Sequence, residues 1–167
     1  MAVALLLVFI SCKKTTSFSP LSRDIPVFKD IYSLKDTRPD SALKLFQAVA
    51  DSLDMEKLYA SSKDHYAEFQ ILEVELYYMN FLRIMNDSAL SVAYTHFDSL
   101  MPGRNVRWGD EEIGFQKARA CYAKAVAEEF KKKEIVEAFS GYLDALWIMD
   151  CLTKKRHFFS SSDHNPN

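Results

Sequence analysis

The chain has 167 residues, 49% of them hydrophobic, with 21 basic and 23 acidic side chains and a formal net charge of −2. That length is one domain's worth of polypeptide with ample apolar material for a core, and only four Gly and five Pro argue against a loop-rich β protein. The basic residues are scattered or paired with acids rather than gathered into a stripe, which leaves no electrostatic case for binding nucleic acid.

The N-terminus, MAVALLLVFI, is an apolar run of ten residues, where a helix crossing a bilayer needs about 20. It ends at Ser11-Cys12, and Lys13-Lys14 come next. A short apolar segment, a small residue and then a cysteine resembles the signal of bacterial lipoproteins. That resemblance implies a signal peptide over 1–11, with Ser11 the small residue before the cut. It further implies diacylglycerol on the Cys12 thiol and acylation of the new N-terminus. Several acyl chains would hold the mature protein on the membrane, each buried CH₂ adding about 0.8 kcal/mol. No acidic run comes after Cys12, which favours a periplasm-facing position, at the outer membrane of a bacterial envelope. A plain secretory signal with an incidental Cys12 is the alternative. The stretch up to Arg38 is rich in Ser, Thr, Lys and Pro, with Pro20 and Pro26 as breakers. It predicts a flexible tether over 12–38.

Pro39-Asp40-Ser41 then supplies a helix start, with Asp40 as the expected N-cap. Ala42, Leu45, Phe46, Val49 and Leu53 line one face, and the pattern loosens from Asp54 to Ser62. Ser61-Ser62-Lys63-Asp64 forms another capping cluster. The run from His65 to Met85 is apolar over more than half its circumference and predicts the most enclosed helix. Asn86-Asp87-Ser88 restarts the chain for a shorter helix that Met101-Pro102-Gly103 stops. Asp-Ser-Ala-Leu occurs at both 40–43 and 87–90, either as an internal repeat or as one good cap used twice. A loop through Trp108-Gly109 leads to Asp110-Glu111-Glu112, acids that suit the positive end of the next helix.

Ala118, Cys121, Tyr122, Ala125, Val126 and Phe130 recur at three- and four-residue steps, as one helix face does. A charged run over 128–134 interrupts them, and the periodicity resumes with Ile135, Ala138, Phe139, Tyr142, Leu143, Ala145, Leu146 and Met149. With no Pro from Gly103 to His164, these segments predict two helices packed antiparallel across a tight turn. Ala138, Tyr142 and Ala145 keep the A-x3-[FY]-x2-A spacing that tetratricopeptide repeats carry on their second helix. Tyr122 and Ala125 stand where those repeats place an aromatic and a small residue on the first. The resemblance implies an all-α domain over 39–153, about five helices in antiparallel pairs forming a right-handed stack. An ordinary αα-hairpin of a helical bundle is the alternative. The order of parts is also similar to the N-terminal repeat region of envelope lipoproteins and of longer membrane-associated sensor proteins, so a stand-alone lipoprotein and a truncated sensor both stay open. Lys154-Lys155-Arg156-His157 and the Ser, Asp and Asn residues beyond predict a disordered tail over 154–167.

No catalytic, cofactor-binding or metal-binding constellation emerges. His65, His96, His157 and His164 lack any close metal-ligand spacing, and no phosphate loop, nucleophile elbow or CxxC motif is present. Glu73/Glu75 and Glu128/Glu129 are too close in sequence to share a helix face and read as solvated surface. Cys121 and Cys151 would differ by roughly 9 Å in height along the hairpin, too far for a disulfide, so two free and mostly buried thiols are expected. The aromatic series Tyr66, Phe69, Tyr77, Tyr78 and Phe81 fits core packing. Tyr78, Trp108 and Trp147 are the candidate partner contacts. These readings converge on a non-enzymatic, lipid-anchored domain that docks a protein or peptide on its concave face. The competing class is an envelope enzyme or small-ligand binder with a pocket among the helices. A bare apolar patch over Phe139, Leu143 and Trp147 would mark a missing neighbour.

Overall fold

The computed structural model describes residues 19–82, 87–107, 109–131 and 135–162. Among them every regular element is an α-helix, and there is no strand. In chain order they are α1 (Pro20–Asp24), α2 (Pro26–Lys35), α3 (Pro39–Ala50), α4 (Met55–Ser61), α5 (Lys63–Met79), α6 (Asp87–Leu100), α7 (Glu111–Lys131) and α8 (Ile135–Ser162). The all-α class holds, with eight helices among the described residues where about five were expected.

Two of the additional helices come from the segment read as a tether. Pro20, Pro26 and Pro39 each open a helix rather than breaking one, because the first helical N–H has no intrahelical acceptor to lose. Ser19 caps α1 by accepting from the Ser22 N–H. Leu21, Phe28 and Ile31 are fully buried against Phe46, Phe69 and Leu72, so the packed domain reaches back at least to Ser19. The third is α4, where the apolar pattern loosens; Asp54 caps it by accepting from the Lys57 N–H. Asp40 is not the N-cap of α3. Arg38 occupies that position, and Asp40 lies in the first turn, where a carboxylate suits the helix dipole. Ser62 does cap α5, accepting from the His65 N–H.

Helix α5 ends at Met79, short of the expected Met85, which lies outside the described residues. Phe81 takes the left-handed conformation (φ 57°). The Leu82 and Phe81 N–H groups donate back to the Tyr77 and Tyr78 carbonyls, the bonding of a Schellman stop. Phe81 is 94% exposed and so stands apart from the core aromatics. The expected tail is also revised: the backbone remains helical through Ser162, and residues 154–162 extend α8. Nothing in this stretch removes a backbone donor, and Asp150 pairs with Lys154 one turn on.

Helix α5 lies between two cores. Phe69, Leu72 and Leu76 face the helices before it, while Ala67, Ile71 and Val74 meet α6 and α7. Still more enclosed is α7, which is buried from Gly114 to Ala127 except at Lys124. It packs against α8 antiparallel, with Gly114 near Leu152 at one end and Cys121 and Ala125 near Gly141 further along. Ala125, Ala138 and Ala145 are buried there, and the Tyr122 and Tyr142 rings lie 5.5 Å apart.

At Gly141 the two backbones come closest. A Cβ there would sit 2.9 Å from the Ala125 Cβ and 3.2 Å from the Cys121 carbonyl oxygen, and neither group can rotate away. Alanine would gain up to about 1 kcal/mol in helix propensity against roughly 1–3 kcal/mol of overpacking. Gly141→Ala is therefore expected to lower stability by about 1 kcal/mol net, read from the urea midpoint. A raised midpoint would mean that the helices separate without penalty.

Candidate docking surfaces

Helices α5 and α7 carry polar groups where apolar ones are the rule. Glu68, Gln70 and Glu75 on α5 and Gln116, Lys117 and Arg119 on α7 are all buried. The seven-residue spacing of Glu68 and Glu75 puts both on one helix face, and Arg119 reaches both. Its Nε lies 2.7 Å from Glu75 Oε1 and its Nη2 2.9 Å from Glu75 Oε2, a bidentate pair. Its Nη1 lies 2.8 Å from Gln116 Oε1 and 3.3 Å from Glu68 Oε1. Glu68 also accepts from the Tyr32 hydroxyl at 2.5 Å and from the Leu21 N–H at 2.9 Å. Lys35 donates to Glu75 Oε2 at 2.8 Å. The Arg119 guanidinium carbon sits 5.2 Å from the centre of the Tyr32 ring.

Two carboxylates thus meet two cations, and the cluster ties α1 and α2 to α5 and α7. Burial alone would raise the Glu75 carboxyl, but Arg119 and Lys35 outweigh it and hold the group down at about 2. Burial alone would lower the Arg119 pKa, yet Glu75 above all raises it well beyond its usual value. Burial also pushes the Tyr32 hydroxyl well up. These groups bond one another, and all of Glu68, Glu75 and Arg119 are buried. The arrangement is a clamp.

The reading of Glu75 as solvated surface is overturned. Its signal in the sequence is two carboxylates seven apart on the face that also carries Leu72. A second clamp closes α6. The buried Lys117 ammonium donates to Asp98 Oδ1 at 2.7 Å and to the Met101 and Gly103 carbonyls at 2.6 and 2.5 Å, which satisfies carbonyls past the helix end.

The remaining reactive residue types are dispersed. His65 lies 2.9 Å from Asp24 and His96 2.6 Å from Asp64. Among the described residues no three His, Cys, Asp or Glu side chains gather as metal ligands. Cys121 and Cys151 are free, the first buried and the second half-buried. Burial pushes the Cys121 thiol up to about 11, which leaves it unreactive near neutral pH. Cys12, His164 and Trp108 lie outside the described residues, as does the His157 side chain.

Three open surfaces stand out among the described residues. A groove of about 490 Å³ runs between α4, the start of α5 and α6. Tyr59 and Tyr66 meet edge to face there at 5.0 Å, with the Lys63 ammonium 5.7 Å from the Tyr59 ring. Across it, α6 presents Ser88, Ser91, Thr95 and Ser99. A smaller groove of about 370 Å³ tracks the seam of α6, α7 and α8. Lys124 lies 4.3 Å from the Tyr94 ring there, and Arg104 Nη2 reaches Asp144 Oδ1 at 2.6 Å.

The third surface is the outer face of α8. Val136, Phe139, Leu143, Leu146 and Trp147 recur at helical spacing and are 41–77% exposed. They form an apolar stripe about 17 Å long at ~1.5 Å per residue. Ala138, Ala145, Ile148, Met149 and Leu152 bury the opposite side of the same helix. Of the candidate contacts, Trp147 stands on this stripe, 54% exposed. Tyr78 is half-buried, its ring 6.3 Å from Tyr122 and packed on the α7–α8 core. Among the described residues no helix is long and apolar enough to cross a membrane. No protein family, curated protein or solved structure matches the chain.

The clamp makes two predictions. Arg119→Leu leaves two buried carboxylates short of a cation and should cost roughly 3–5 kcal/mol, measured by urea unfolding near neutral pH. The Glu75 carboxyl is depressed in the folded state from its usual 4.5 to about 2. The unfolded chain therefore binds the extra proton, and stability falls as pH drops from 4.5 towards 2. Glu75→Gln should flatten that slope while lowering stability above it; an unchanged slope would remove Glu75 from the acid response.

Proposed function

We propose that the protein is a non-catalytic docking domain of the bacterial envelope, carried on the membrane by a lipid on Cys12 and engaging a protein or peptide partner. The observation that carries the docking half is the apolar face of α8. Monomeric proteins rarely leave a contiguous apolar stripe bare, and such patches mark contact sites. Trp147 and Phe139 supply the large aromatic anchors on which interfaces depend. The Tyr59–Tyr66 groove is a second, more polar surface suited to an extended peptide, and in a tetratricopeptide-like stack it would be the concave contact face.

The address rests on separate residues, the apolar leader and Ser11-Cys12. It points to a lipid anchor and a periplasm-facing position at the outer membrane. The net charge of −2 gives no support to a nucleic-acid partner.

The bare stripe over Phe139, Leu143 and Trp147 also favours a second reading. In it the helices are the sensor-side part of a longer regulatory protein, whose next helices would cover this face. An enzyme or small-ligand binder has less behind it. Its polar residues would converge on an enclosed cavity, whereas Glu68, Glu75 and Arg119 converge on one another.

Both halves can be tested apart. Mass spectrometry of the membrane fraction should find Cys12 as the acylated first residue; an unmodified Met1 in the soluble fraction would overturn the address. For docking, Trp147→Glu should lower partner recovery from envelope extracts at least tenfold with helix content unchanged. Equal recovery would sink the α8 face as the contact.

A further inference from the structure

We propose that the groove between α4, the start of α5 and α6 binds a short saccharide carrying an acidic group. This goes beyond the docking reading, whose carrying observation is the α8 face. The groove is about 490 Å³, within the range of small-ligand sites. Its α6 wall runs from Ser88 to Ser99, about 16 Å at ~1.5 Å per residue. In outline it suits an extended peptide; the chemistry of its walls favours a sugar.

The first feature that selects the ligand is a row of hydroxyls. Ser88, Ser91, Thr95 and Ser99 come at three- and four-residue steps and so share one face of α6. Ser91 and Thr95 are exposed and make no hydrogen bond to another described residue. Ser99 donates to the His96 carbonyl at 2.7 Å, which leaves its oxygen to accept. A hydroxyl both donates and accepts, and it turns to suit its partner. Sugar hydroxyls have the same dual capacity, whereas peptide amides are fixed as donors or acceptors.

The second feature is aromatic. Tyr59 and Tyr66 line the groove edge to face, and Tyr59 is 42% exposed. The C–H face of a pyranose can pack on that ring surface while its hydroxyl rim meets the α6 wall. An acyl chain would use the rings but leave the hydroxyl row without a partner. The third feature is charge. No carboxylate lines the groove, and Lys63 forms no ion pair with a described residue. Its ammonium lies 5.7 Å from the Tyr59 ring, beside the position of a stacked sugar, and favours one anionic group there. His96, held by Asp64 at 2.6 Å, completes the α6 side. A single lysine is too little for a nucleic-acid backbone.

The test uses the full chain carrying Cys12→Ser, which keeps it free of lipid, titrated with trigalacturonate and followed by amide NMR. Amides around Tyr59, Lys63 and Thr95 should shift together, and those around Leu143 should stay in place. The fully methyl-esterified trimer keeps the rings and loses the charges. It should bind about three- to fivefold more weakly, and Lys63→Gln should erase that difference. Thr95→Val keeps the shape of the wall and should weaken binding about threefold. Tyr59→Ala should weaken it about fivefold or more, both variants with unchanged helix content. Trp147→Glu should bind the trimer as the parent does, which separates the sugar site from the docking face. Unaltered binding by Thr95→Val and Tyr59→Ala overturns the proposal, as does a trimer that shifts nothing at millimolar concentration. Identical shifts from inorganic phosphate would reduce the site to an anion contact at Lys63 and overturn it too. A pentaglutamate peptide that binds where the trimer does not would make the groove a peptide site. Each of these results leaves the α8 docking reading standing.

Discussion

Burying Arg119 obliges the rest of the fold to come to it. A guanidinium taken out of water is strongly unfavourable unless its donors are matched and its charge is balanced. The neighbouring helix α5 supplies both carboxylates, and these in turn draw partners from α1 and α2. Glu75 provides the fork, Glu68 and Gln116 take the remaining donor, and Lys35 and Tyr32 complete the partners of the two carboxylates. The helices contributing these groups are α2, α5 and α7, and Leu21 of α1 adds a backbone N–H. Apolar burial is tolerant of small slides, since contact with one methyl is much like contact with the next. A bidentate pair between two buried helices is not. The cluster therefore fixes rotation and height of α5 against α7 in a way that the surrounding Ala, Ile and Leu side chains cannot.

That constraint decides what α8 does. With α5 and α6 occupying one side of α7 and the clamp holding it there, α8 covers the side that remains. It does so through its small residues, Gly141 against Ala125 and the buried Ala138 and Ala145 beside it. Small residues bring the axes close but use only part of the helix circumference. The rest of α8 is apolar too, and the domain has no further helix among the described residues to lay on it. An interior helix can be apolar all round, whereas an outermost one with two apolar faces calls for something outside its own core. The functional reading grows from this mismatch between what α8 carries and what its own domain covers.

Legibility in the sequence tracked the physics of each signal. The α7–α8 hairpin was readable because small and aromatic residues at helical spacing have few other uses, and Tyr122, Ala125, Ala138, Tyr142 and Ala145 all lie along that contact. Gly141 was not singled out, since a helical glycine usually signals weakness and only the facing Ala125 makes it a necessity. Pro20 and Pro26 misled for a related reason: a proline can close the segment before it or open the helix after it, and composition alone favours the first sense. The enclosure of α7 was hidden by its own residues. Gln116, Lys117 and Arg119 read as solvent-facing by default, and only partners distant in sequence reverse that. Contacts set locally could be read, and those set across the chain could not.

The same division bears on the surface. Docking faces are effective when they are rigid before contact, because ordering a mobile segment subtracts from the affinity gained. The α8 stripe is apolar; α8 takes its direction from α7 through the Gly141 contact, with the Tyr142–Glu129 and Arg104–Asp144 pairs beside it, and α7 inherits its own from Arg119. Three links thus connect a cluster sealed from solvent to a stripe open to it. Each is geometrically strict for a different reason: bidentate hydrogen bonding at Arg119, the absence of a Cβ at Gly141, and a backbone free of breakers along α8. A polar cluster buried between helices can therefore settle which way the last helix faces without touching that helix's outer surface.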